Sequence, residues 1–284
     1  MSTLESTLVI PPEAASRLPS KLQWQGFWQR HQYLLLGLIS VSALTFIWWL
    51  VTALELVPSL FLPAPQAVWN KFLVVSSQGF MDATLWQHTA ASLQRILLGL
   101  WFAVIIGIPV GLWIGCNQVV RGLLDPLVEI YRPIPPLAYL PLLVIWFGIG
   151  ETTKVLLIFL AILAPIIIAT AHGVSSAGKS RQRAAQSLGA TPSQLLWHVT
   201  LPAALPSILT GVRIGLGAGW STLVAAELVA ATRGLGFMVQ SAAQFLVTDT
   251  VILGILVIAA IAFAIEIGLR YLQKRLTPWY SHYE

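Results

Sequence analysis

The chain has 284 residues, of which 57% are hydrophobic and 10% charged, with a formal net charge of +5 and a mean hydropathy of +0.79. A soluble domain carries roughly 25% charged residues, so there are too few here to coat a water-facing surface, and a soluble enzyme of this length is excluded. What remains is a membrane protein whose apolar stretches meet lipid and each other.

Residues 1–30, with Pro11, Pro12, Glu13, Arg17 and Lys21, lack an apolar core followed by a cleavage site and read as a cytoplasmic tail, not a signal peptide. Uncharged windows of about 20 residues then mark spans near Leu34–Leu54, Ile96–Cys116, Pro133–Gly150, Val155–Gly173, Val212–Thr232 and Val251–Leu269. The third is short and proline-rich. Residues 31–83 hold the first span and an extracytoplasmic segment, with a turn at Pro63–Pro65 and an amphipathic stretch through Trp69, Phe72 and Leu73. Residues 84–274 form the core, and 275–284 a cytoplasmic tail.

Six spans put both termini on one side, and Lys and Arg choose the side. With the termini inside, the inner segments hold Arg17, Lys21, Arg30, Arg121, Arg132, Lys179, Arg181, Arg183, Arg213, Arg270, Lys274 and Arg275, twelve in all. The outer segments hold four: Lys71, Arg95, Lys154 and Arg233. The basic balance is a topology signal and needs no nucleic acid. The one cysteine, Cys116, allows no intrachain disulfide, and the five histidines lack metal-ligand spacing, so neither a metal site nor a catalytic group is expected.

The longest inner loop, about 174–211, has no acid, and none occurs between Glu151 and Glu227. Helix formers over Ser180–Leu188 stop at Gly189, the residue that most readily ends a helix in a left-handed conformation. Thr191-Pro192-Ser193-Gln194 then reads as a capping box opening a second helix, which Leu201-Pro202 should end. The expectation is two short helices folded at a glycine, with apolar residues that something must cover.

Arg183-Ala184-Ala185, Gly189 and Val199-Thr200-Leu201-Pro202 resemble, at matching spacing over 20 residues, the EAA motif of permease subunits of binding-protein-dependent ABC importers. Arg183 stands where that family has glutamate, a replacement found in its sulfonate, taurine and nitrate branch. The runs Gly79–His88, Tyr131–Ala138, Trp146–Thr152, Gly219–Leu228, Arg233–Gln240 and Leu276–Trp279 are similar to the taurine permeases of that branch. The resemblance implies an all-α, six-span, type I (MetI-like) permease fold in a bacterial inner membrane, with the loop as a two-helix coupling element of Arg183, Ala184, Ala185, Gly189, Val199, Leu201 and Pro202. It implies two cytoplasmic ATPase subunits, a periplasmic substrate-binding protein, a second copy of the chain and surrounding lipid. It also implies taurine or a related sulfonate as cargo, with nitrate, bicarbonate or alkanesulfonates as alternatives, and no cofactor in this chain.

Gly173-Val-Ser-Ser-Ala-Gly178-Lys179-Ser180 satisfies the phosphate-binding pattern G-x-x-x-x-G-K-S. That pattern works when a buried strand delivers the loop to a helix start. Here a proline-containing membrane helix precedes it, so ATP is expected on another chain, and a membrane-bound nucleotide hydrolase using this loop is kept as a rival reading. Glycines recur every four residues at Gly107, Gly111, Gly115 and at Gly211, Gly215, Gly219, the spacing that lets helices approach closely in lipid.

On span five, at about 100° per residue, Gly215, Gly219, Thr222 and Ala226 share one face, and Arg213, Trp220 and Glu227 lie on another stripe. Arg213 and Glu227 are roughly 21 Å apart at 1.5 Å per residue and cannot pair. An intramembrane acid costs about 2.5–3.5 kcal/mol on insertion scales, so Glu227 should face the interior or water. Two readings stand: this stripe lines the route, with Glu227 meeting a substrate ammonium, or Glu227 makes a structural hydrogen bond. Glu266 should pair with Arg270 one turn on. A stand-alone secondary transporter is the rival from a different class, with Glu227 and Glu266 its eligible coupling residues.

Overall fold

A computed structural model describes residues 20–176 and 179–279. The start of the N-terminal tail, the last five residues, and Ala177 and Gly178 within the G-x-x-x-x-G-K-S match lie outside the described residues. Among the described residues the secondary structure is helical, apart from an isolated bridge between Phe80 and Ala83. The chain divides into two compact units, Met1–Pro65 and Gln66–Glu284. The amphipathic stretch around Trp69, grouped above with the first span, therefore belongs to the core unit.

The first unit contains α1 (Ser20–Ala53), whose Leu35–Ala53 portion is apolar and long enough to cross a bilayer. The Trp48 indole N–H donates to the Pro63 carbonyl (3.1 Å) and folds the following turns back.

In the second unit α2 (Pro65–Ser77) buries Val68 and Val75 and leaves Trp69 and Leu73 exposed. Helix α3 (Leu85–Cys116) begins eleven residues before the expected Ile96. Its start is a capping box in which the Gln87 N–H donates to the Thr84 hydroxyl (3.3 Å) and the Thr84 N–H to the Gln87 carboxamide (2.9 Å). The charge at Arg95, which set the expected boundary, sits inside the helix.

The expected third span, Pro133–Gly150, holds a 3-10 turn at Pro136–Tyr139 and α5 (Leu140–Phe147), and these follow α4 (Gln118–Tyr131) at a bend of 88°. The bend falls at Pro133, Pro135 and Pro136, which lack amide protons and restrict the residue before each. Arg121, Asp125 and Glu129 hid the first half from a search for uncharged windows.

Helix α6 (Glu151–Ser176) is the hub. Gly99, Gly107, Gly111 and Gly115 of α3 face Ile158, Ile166, Thr170 and Val174 of α6 at one constant offset, so the two run parallel. A Cβ at Gly111 would lie 2.6 Å from the Thr170 Cβ. Gly211 of α9 (Leu201–Ala230) meets Ala169 and Gly215 meets Ile162 in the reverse sense, so α9 runs antiparallel. The four-residue glycine repeats thus act in close packing. Ile96, Ile158, Ile162, Ile166, Leu216 and Leu223 fill the space among the three helices.

Helices α10 (Leu235–Gln244) and α11 (Thr248–Leu276) complete the unit. Among the described residues five helices are long and apolar enough to cross a bilayer, and six if the bent pair is one span.

Candidate functional site

Two polar regions sit at opposite ends of α6. At its Ser176 end stands a helical elbow. Helix α7 (Lys179–Ser187) closes on Gly189, whose φ of +82° only glycine adopts without strain. The Ala190 N–H donates to the Ala185 carbonyl (3.1 Å) and the Gly189 N–H to that of Gln186 (3.0 Å), the paired bonds of a Schellman stop. The short turn α8 (Pro192–Gln194) follows, opened by the expected Thr191–Gln194 capping box.

The expected helix end at Leu201-Pro202 is not there. Leu195–Thr200 adopts a wide π-helical turn that runs directly into α9, with the Leu201 N–H bonded to the Leu196 carbonyl five residues back. A wider turn gives the Pro202 ring room and asks nothing of its missing N–H, so the proline is carried through the helix. The second arm of the elbow, from Pro192 on, is consequently continuous with α9, bedded where Val174, Ala204 and Ile208 pack together.

Of the motif residues, Arg183, Ala184 and Gly189 are exposed, while Ala185, Val199, Leu201 and Pro202 are half-buried beneath them. Leu188 is 88% exposed and Trp197 61%. Among the described residues nothing covers these apolar side chains. In the phosphate-pattern match, Gly173–Ser176 are the last residues of α6, with a helix where a strand would be needed.

At the Glu151 end lies a closed polar knot. Glu227, 1% exposed, accepts from the Arg95 guanidinium (2.6 Å), the Ser92 hydroxyl (2.8 Å) and the Gly236 N–H (2.8 Å). Arg95 also grips Glu151 through two bonds, Nε to Oε2 at 2.6 Å and Nη2 to Oε1 at 2.8 Å, and Lys154 joins Glu151 at 2.9 Å. Helix α10 starts inside this knot. Its first amide protons go to His88 Nδ1 from Gly234 (3.1 Å), to the Ser92 hydroxyl from Leu235 (2.9 Å) and to Glu227 from Gly236. Those donors have no partner within the helix, and the helix start favours an anion. Because Nδ1 accepts, the His88 Nε2–H donates to the Phe80 carbonyl (2.9 Å) and the ring is neutral.

Of the proposed stripe on α9, Glu227 is buried with both carboxylate oxygens engaged by Arg95, Ser92 and Gly236, the arrangement that the structural reading describes. Trp220 is buried in the α3–α6–α9 core. Arg213 bonds Glu266 (Nη2 to Oε1, 2.5 Å) and Gln273 (3.3 Å) of α11. Glu266 also takes its expected neighbour Arg270 at 2.9 Å, so it is shared between two helices. Sequence reasoning missed Arg95 as the partner of Glu227, because it was counted as a loop charge. The signal was available: a buried acid needs a base at its own depth, and few outer basic residues lie beside a helix start.

The open face of α9 is on its other side. A cleft of about 550 Å³ lies between α6, α9 and the bend after α4, with Arg132, His172, Ser207 and Thr210 among its lining residues.

Bilayer-length apolar helices, a helix pair bent at prolines and a cleft beside the bend define an integral membrane protein. The chain belongs to the family described as binding-protein-dependent transport system inner membrane component, whose model matches residues 107–278. It is a multi-pass inner-membrane permease of the ABC importer class. It is 61% identical over 262 residues to the taurine transport system permease protein TauC of Escherichia coli (strain K12), covering 92% of this chain and 94% of that one. It is 34% identical to the putative aliphatic sulfonates transport permease protein SsuC of the same organism (84% and 89% covered). With the bicarbonate transport system permease protein CmpB of Synechococcus elongatus it shares 36% identity (69% and 71% covered). A chain of the MetNI methionine ABC transporter, solved in an inward-facing form, superposes with a TM-score of 0.60 at 20% identity, covering 66% of this chain and 93% of that chain. At that identity the likeness speaks for the MetI-like fold alone.

Proposed function

We propose that this chain is the transmembrane permease subunit of an ATP-driven importer for taurine or a closely related small sulfonate. The 61% identity with a taurine permease along nearly the whole of both chains carries the substrate reading. The sulfonate and bicarbonate relatives, at 34% and 36%, support a shared architecture more than a shared cargo.

The energy enters from a separate ATPase chain at the elbow. Support comes from its shape: an exposed, acid-free pair of helices, topped by Leu188 and Trp197, folded at Gly189, with its second arm continuous with α9. Two copies of the ATPase gripping two copies of this chain would push Arg183–Gly189 sideways, and the π-turn passes that displacement to α9 without a flexible joint. Helix α9 is locked to α6 through Gly211 and Gly215, so the pair tilts together and the cleft beside them opens to one side or the other. A periplasmic binding protein delivers cargo to the opposite face.

The elbow faces the cytoplasm. Arg132 at the bend and Arg95 inside α3 both leave the count of loop charges, and eleven basic residues against three still favour the elbow side as the inner one. Both termini are on that side, and the segments 1–30, 31–83, 84–274 and 275–284 serve as tail, entry span, transport core and tail.

Labelled-taurine uptake by cells lacking this chain tests the reading. Wild type restores uptake; Gly189→Pro inserts normally and does not. Uptake in vesicles by this chain alone, driven by an ion gradient and indifferent to ATP, would contradict it.

A further inference from the structure

We infer that Arg132 is the residue that recognises the anionic end of the cargo, holding a sulfonate in the cleft beneath the Pro133–Pro136 bend. This inference rests on the importer reading above.

Depth comes first. The Tyr131 hydroxyl donates to the Leu160 carbonyl (2.5 Å) and pins the bend to the tenth residue of α6. At 1.5 Å per residue that point is roughly 14 Å from one end of α6 and 24 Å from the other. Arg132 therefore stands within the middle of a bilayer-crossing bundle, where a cation is costly and marks a pathway unless a partner neutralises it.

Three other cations on α3, α6 and α9 have partners. Arg95 binds Glu151 and Glu227, Lys154 binds Glu151, and Arg213 binds Glu266. Arg132 is exposed and makes no ion pair or side-chain hydrogen bond among the described residues. Glu129, one turn earlier, does not pair with it.

The cleft supplies the rest. Its volume of about 550 Å³ lies within the range of small-molecule sites. No carboxylate-bearing residue lines it, and its polar lining residues include Arg132, His172, Ser207 and Thr210. A guanidinium presents two parallel N–H donors that match two oxygens of a sulfonate, a fit a point charge does not give. The broken backbone at Arg132–Pro135 is also what a water-lined cavity tolerates and lipid does not.

The test uses the complete transporter in liposomes: this chain, its ATPase and its binding protein. Arg132→Gln, at equal amounts in the membrane, is expected to lower taurine uptake at least tenfold, with Arg132→Lys intermediate. A second measurement needs no change at Arg132. In a Cys116→Ser background, Thr210→Cys is labelled with methanethiosulfonate reagents carrying either an ethylsulfonate or an ethyltrimethylammonium group. The sulfonate reagent should react about tenfold faster than the ammonium one, and ethanesulfonate should protect the thiol where ethylamine does not.

Uptake by Arg132→Gln equal to wild type, or reagent rates indifferent to charge, overturns the assignment of Arg132 and leaves the importer reading standing. A Thr210→Cys thiol closed to both reagents overturns it too, since the cleft would then be filled by a second copy of the chain. A wild-type transporter that takes up no sulfonate removes the reading on which the inference rests.

Discussion

The two ends of α6 differ in what they leave without a partner. At the Glu151 end, Arg95, Glu227, Ser92 and His88 close on one another and on the first amides of α10, with Glu151 as a partly exposed flank. At the Ser176 end the elbow satisfies its backbone through Gly189 and Thr191 but leaves Leu188 and Trp197 uncovered. A polar group whose bonds are all internal serves the fold. An apolar group left in the open on a well-formed scaffold is waiting for another surface.

The comparison breaks most readily at Arg95. Arg95→Met leaves Glu227 buried without its cation, a loss of about 3–5 kcal/mol. Little folded protein is expected in the membrane fraction, and the thermal midpoint of what survives in detergent should fall steeply. Glu227→Gln is the sharper companion. It keeps the contacts of Ser92 and Gly236 in neutral form, so it should cost less, and taurine uptake per folded molecule should stay near wild type. Uptake abolished in well-folded Glu227→Gln would return that residue to the route.

Next in size is Gly111→Leu, which forces α3 off Thr170. Overpacking of this kind costs about 1–3 kcal/mol, read as a lower thermal midpoint. Thr191→Ala removes the elbow's cap, worth about 1 kcal/mol locally. Uptake should fall partly while the thermal midpoint of the bundle stays unchanged. Smallest in stability is Leu188→Ala, expected to leave the thermal midpoint within error and yet to lower uptake, the opposite pattern to Arg95→Met.

What the sequence made legible follows the range of the interactions. The elbow was readable because its stop, its cap and its motif are all local: Gly189, Thr191 and Gln194 act within a few residues of themselves. The glycine repeats were readable for the same reason, since a four-residue spacing states a face without naming the partner. The knot was not, because Ser92 and Glu227 are 135 positions apart and only the fold brings them together. The third span was half visible. Its prolines announced a break, but charges on α4 concealed the helix before it. Leu201-Pro202 misled because the usual effect of a proline was assumed, and a π-turn absorbs it.

The most direct test of the account is a photo-crosslinker placed at Leu188 in intact membranes. The account predicts capture of a single cytoplasmic ATPase polypeptide, with a yield that changes when ATP is added. Efficient activation that captures lipid or solvent alone, with and without nucleotide, would contradict it.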